Sequence, residues 1–151
     1  MPALQADRIV AALRGAFTRD AARPALLQLA AERIRAAGPP YTSVYLYLLD
    51  GSELVLEAWS GRETEHTRIP VGQGVCGTAV VTATDQNVGD VRTIGNYISC
   101  NFFTRSELVV LIRRGNRILG QIDVDSDLHD PFTPDEEAAV RKVADALAAL
   151  L

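Results

Sequence analysis

Residues 106–126, SELVVLIRRGNRILGQIDVDS, read as two strands folded back on each other. Ser106 to Arg113 and Arg117 to Val124 are the strands, and Gly115-Asn116 is the turn between them. Leu108, Val109, Val110, Leu111 and Ile112 follow one another without polar residues between them. Ile118, Leu119, Ile122 and Val124 make the second strand nearly as apolar. A hairpin exposed on one face would alternate, so this composition implies burial on both faces. Other elements must therefore cover each side of it.

Upstream, Tyr41 to Leu49 carries Val44, Tyr45 and Tyr47, which favour strands. Asp50-Gly51 is a hairpin turn signal, and Glu53 to Trp59 returns. Gly61 to Thr67 is polar and reads as a loop, and Arg68 to Val71 as a short extended piece. Gly72-Gln73-Gly74-Val75-Cys76-Gly77 is glycine-rich and opens a short helix over Thr78 to Ala83. Val88 to Val91 reads as a short strand, and Arg92 to Arg105 as a long loop, a type that is usually functional. Helices flank these strands. Ala3 to Phe17 has one apolar face, and a second helix begins after Asp20 with Pro24 in its first turn. Thr133-Pro134-Asp135-Glu136 opens the last helix with an N-cap, a proline and acids in the first turn.

These elements predict an α+β fold with one mainly antiparallel sheet. The N- and C-terminal helices pack on one face, and a loop-covered pocket lies on the other. A single domain is expected over 1–151. It comprises helices in 1–38, the sheet, short helix and pocket loop in 41–126, and a helix in 133–151. The 151 residues are 48% hydrophobic and 23% charged, which suffices for a full core. A net charge of −4 with scattered arginines argues against a nucleic-acid partner. The sequence shows no signal peptide and no membrane-spanning run, so a reducing cytoplasmic setting is expected. Apolar terminal helices and the leucines 147, 150 and 151 suggest a homodimer.

Two features carry chemistry. Cys76 lies at the mouth of the short helix, where the dipole favours a thiolate, and Cys100 lies in the long loop. Each also reads as a small buried hydrophobe, and their spacing does not pair them. Glu107 stands at the open end of the late hairpin, and Asp123 and Asp125 end its second strand. Residues two apart on a strand share a face, so Asp123 and Asp125 point together, with Glu107 a cross-strand neighbour. Three carboxylates in an apolar hairpin call for a cation or shared protons. An amino group would suit them, and a protonated member could act as a general acid. His66 and His129 read as exposed loop residues. Neither their spacing nor the alternation Asp123, Asp125, Asp127 matches a metal-binding pattern, so no metal is expected.

Gly74-Val75-Cys76-Gly77, Ile98-Ser99-Cys100, Ser106-Glu107, Ile122-Asp123-Val124-Asp125-Ser126 and Phe132-Thr133 occur in that order. This set resembles the free methionine-(R)-sulfoxide reductase family of GAF-domain proteins, from about Tyr41 to the C-terminus. The resemblance implies an oxidoreductase with a GAF fold. It implies Cys100 as nucleophile and Cys76 as the resolving thiol, the reverse order staying open, with a Cys76–Cys100 disulfide formed in turnover. It implies substrate binding by Glu107, Asp123, Asp125 and Tyr47, although Tyr47 also reads as a core aromatic. It implies no cofactor beyond an external reductant of the thioredoxin type. Two positions depart from the family pattern: His66 stands where many members have a third cysteine, and Ser43 where a tryptophan is common. The competing readings are a non-catalytic GAF module that senses a small molecule, and a dimerisation scaffold.

Overall fold

The computed structural model describes residues 2–95, 97 and 102–151. Two helices, α1 (Ala6–Thr18) and α2 (Arg23–Arg35), precede strands β1 (Ser43–Asp50), β2 (Glu53–Ser60) and β3 (Arg68–Pro70). Helix α3 (Gly74–Thr82), strand β4 (Gln86–Val88) and a 3-10 turn (Val91–Thr93) lead to β5 (Ser106–Arg114), β6 (Arg117–Ser126) and α4 (Pro134–Leu150). The strands form one sheet in the order β3-β2-β1-β6-β5-β4, and every neighbouring pair is antiparallel.

Both hairpins turn where the sequence indicates, with Asp50 opposite Glu53 and Arg114 opposite Arg117. Alternate residues of the central strands then divide between two cores. Val44, Leu46, Leu108, Val110, Ile112, Ile122 and Val124 pack under α1, α2 and α4. Tyr45, Tyr47, Val109 and Leu111 face the other way, against Ile69, Val75, Cys76 and Ala79. Burial on both faces is thus the reason that β5 shows no alternation. At the start of α4, Thr133 Oγ1 accepts from the Glu136 amide at 3.3 Å, with Pro134 in the first turn.

Several boundaries differ from the sequence reading, each for a local reason. Helix α1 starts at Ala6 rather than Ala3. The amides of Ala3 and Leu4 are instead bound by the buried Glu136 carboxylate, at 2.7 and 3.3 Å, which also accepts from Tyr41 Oη at 2.7 Å. Helix α3 starts at Gly74, not Thr78, so Cys76 lies inside its first turn. The strand expected at Val88 to Val91 is Gln86–Val88, and the 3-10 turn follows, with the Asp90 side chain accepting from the Arg92 amide. Strand β6 runs on to Ser126 because Asp125 has partners on both sides, Ser43 and Glu107. Leu147 is fully covered within one chain, and Leu150 and Leu151 pack on the helix-side core. Of the leucines invoked for a homodimer, Leu147 is thus covered within the chain, while Leu150 and Leu151 remain partly exposed.

Candidate active site

The site lies on the sheet face that α3 covers. Cys76 is placed there by two constraints. Gly77 sits against β3 so tightly that a Cβ would fall 2.7 Å from the Pro70 carbonyl, which only glycine permits. Gln121 Nε2, from β6, donates to the Cys76 carbonyl at 3.0 Å. The thiol of Cys76 is free and donates toward Glu107 Oε2 at 3.6 Å. Glu107, on β5, pairs in register with Asp125, and Asp123 pairs with Val109 on one side and Tyr45 on the other.

Donor atoms of Cys76, Glu107 and Asp123 all lie within 4.8 Å of one another, and all three residues are buried. Asp123 hydrogen-bonds with both Glu107 and Cys76. A hydrogen bond between two carboxyl groups requires a proton on one of them. Burial pushes the Asp123 carboxyl above the usual carboxylate range and outweighs those two bonds. Burial is also the largest influence on the Cys76 thiol, which it drives well up; the charges of Asp123, Glu107 and Asp125 add to it. The helix dipole expected to favour a thiolate at Cys76 is overridden by this desolvation and by the nearby acids. Burial thus favours the protonated forms of the Asp123 carboxyl and the Cys76 thiol.

A small cavity of about 10 Å³ opens here, lined by Tyr47, His66, Gln73, Cys76, Glu107 and Asp123 with apolar neighbours. That is room for about one water molecule. Tyr47 donates its hydroxyl to the His66 carbonyl at 2.8 Å, closing the rim. His66 is therefore half-buried at the cavity wall, not an exposed loop residue as its polar neighbours suggest. His129 is exposed, 3.9 Å from Asp90. Asp125 is buried beside the cluster, opposite Glu107 across the strands, but does not line this cavity. Cys100 lies outside the described residues.

The β2–β3 loop that carries His66 is tied down at its start by a strap. Arg62, in the β2–β3 loop, makes a two-pronged ion pair with Asp127 at 2.7 and 2.6 Å, and its guanidinium lies 5.4 Å from the Phe103 ring centre. The Arg62 amide donates to Ser43 Oγ at 3.0 Å. Gly61 has φ +118°, and a Cβ there would meet Ser43 atoms at 2.5 to 2.8 Å. A small side chain at position 43 is what lets this loop lie so close to the sheet. Sequence reasoning did not single out Gln121 or Arg62. Gln121 was reachable, since it lies two residues from Asp123 on the same strand face.

The GAF domain family matches residues 19–151 of this sequence. The chain belongs to the GAF domain family. Within it, the chain is 37% identical over 105 residues to the free methionine-R-sulfoxide reductase of Escherichia coli (strain K12). That match covers 70% of the chain and 63% of the E. coli protein. The type II free methionine-R-sulfoxide reductase of Thermoplasma acidophilum superposes with a TM-score of 0.81 at 34% identity, covering 85% of this chain and 91% of that one. The Neisseria meningitidis free methionine-R-sulfoxide reductase, solved in complex with its substrate, superposes with a TM-score of 0.87 at 29% identity. That superposition covers 98% of this chain and 89% of the Neisseria chain. As a GAF domain, this one places thiol and carboxyl groups in the pocket between α3 and the sheet.

Proposed function

We propose that this GAF domain reduces free L-methionine-(R)-sulfoxide to methionine with electrons from cysteine thiols. The observation that carries the reading is the closed grouping of Cys76, Glu107 and Asp123, in a chain similar to three reductases of that name. Carboxylates on one buried face suit the substrate's ammonium group, which donates three hydrogen bonds. A carboxyl whose proton is held by burial, as for Asp123, can supply it to the sulfoxide oxygen.

The Cys100 thiolate attacks the sulfoxide sulfur as the acid protonates its oxygen. The hydroxyl then passes from the substrate sulfur to the Cys100 sulfur as the transient sulfur–sulfur bond and the sulfur–oxygen bond break, so methionine leaves and Cys100 is left as a sulfenic acid. Cys76 then condenses with it, releasing water and forming a Cys76–Cys100 disulfide. A dithiol reductant of the thioredoxin type restores both thiols by exchange. The upward push on the Cys76 thiol makes it a poor first nucleophile, which supports giving Cys76 the second role. Such chemistry needs a compartment that keeps thiols reduced, which suits the cytoplasm.

A single-turnover experiment tests the scheme. Reduced protein mixed with the R epimer and no external thiol is expected to release methionine in proportion to protein and to yield a mapped Cys76–Cys100 disulfide. Tight binding of the sulfoxide without release of methionine would replace the reductase with a sensor.

A further inference from the structure

We propose that Cys76, Glu107 and Asp123 form a binding site for a thiophilic divalent cation, with zinc as the defining case, and that the cation competes with substrate for the cavity. The ion site itself rests on geometry alone; the competition rests on the reductase reading above.

The three donors come from α3, β5 and β6, so no sequence spacing announces them. Two donors sharing one tetrahedral zinc ion lie about 3.3 to 3.7 Å apart, given bond lengths of about 2.0 to 2.3 Å. The observed spread of up to 4.8 Å closes to that with side-chain movements of about 1 Å. Asp123 is 3% exposed and lines the cavity, and its Oδ1 has no hydrogen-bond partner among the described residues. A buried acceptor left this way costs stability unless something binds it. Gln121 Oε1, two residues along the same strand face, is likewise buried without a hydrogen-bond partner among the described residues. The cavity's volume of about 10 Å³ matches a single ion or water and is far too small for an amino acid in this conformation. One thiolate and two carboxylates form a donor set that zinc accepts, with a fourth position left for water. Binding would expel the protons that the cluster holds. A substrate ammonium would need the same carboxylates, so ion and substrate exclude each other.

The test is a calorimetric titration of the reduced protein with zinc chloride, in a phosphine reductant and without substrate. One-to-one binding is expected, weakened about tenfold or more in Cys76→Ser and in Asp123→Asn, and unchanged in His129→Ala. Cobalt(II) added to the unaltered protein is expected to give a thiolate charge-transfer band in the near ultraviolet. That band should vanish in Cys76→Ser and persist in Cys100→Ser. Absence of binding, absence of the band, or binding indifferent to Cys76 and Asp123 overturns the site. In turnover, zinc should raise the apparent KM for the sulfoxide and leave kcat unchanged; an effect on kcat alone overturns the competition. Turnover without zinc binding sinks this inference and leaves the reductase standing. Zinc binding without turnover does the reverse.

Discussion

Ile122 and Asp123 are neighbours in the chain, both almost fully buried, and they face opposite sides of the sheet. Ile122 sits among leucines, valines and alanines from three helices. Asp123 sits among a thiol, a second carboxyl and a small cavity. The helix-covered face gains stability from apolar area removed from water. The α3-covered face buries polar groups that would be cheaper outside it. One face holds the fold together, and the other spends part of that stability on a chemical site.

Substitutions on the two faces should therefore have opposite signatures. The largest effect is expected from Cys100→Ser, which should bring sulfoxide turnover to background while thermal unfolding stays close to that of the parent. If Cys76→Ser alone abolishes the first release of methionine, the two sulfur roles are reversed. Asp123→Asn should lower kcat/KM by about 100-fold, through loss of the proton donor. The same change should raise the melting temperature, because a buried, partly unpartnered carboxyl is replaced by a neutral amide. Ile122→Ala should do the contrary. It should cost about 3 kcal/mol of stability, measured by denaturant unfolding, and leave kcat nearly intact below the melting range. If both variants lost stability equally, the division between the faces would fail.

The pH dependence sharpens the contrast. Asp123 has its folded-state titration raised, so its contribution to stability is fully present below the ordinary aspartate range. That contribution is lost as pH rises through the raised value. The melting-temperature advantage of Asp123→Asn over the parent should therefore be small in acid and grow toward neutrality. The Cys76 thiol, also raised, acts in the same direction at higher pH. An advantage that shrank with pH would contradict the assigned cause. The smallest effect belongs to the strap. The Arg62–Asp127 pair is about a third exposed on each side, so Arg62→Ala should cost under about 1 kcal/mol. A rise of about threefold in KM is expected from looser loops over the cavity, read in steady-state kinetics.

The two faces also differed in how far the sequence revealed them. Strand periodicity is two, so the shared face of Asp123 and Asp125, and the nearness of Glu107, followed from spacing alone. The unbroken apolar run Leu108 to Ile112 announced cover on both sides. The start of α3 was obscured, because Gly72, Gly74 and Gly77 read as a loop while Gly74 and Gly77 are helical. Cys76 does lie in the first turn of α3, but its burial beside three acids, which spacing does not show, reverses the direction of its titration. His66 gave no signal, since loop residues have no period and its place at the cavity wall depends on where Tyr47 donates. The three-donor cluster escaped ligand-spacing rules for a similar reason: strand pairing, not sequence distance, brings its members together.

The most direct test of the central claim is an epimer-resolved assay. Reduced protein with excess dithiol is given free methionine-(R)-sulfoxide and, separately, the S epimer, and methionine is quantified by chromatography. Catalytic conversion of the R form with little of the S form is the predicted result. Equal conversion of both, or none of either by protein with intact thiols, would contradict the account.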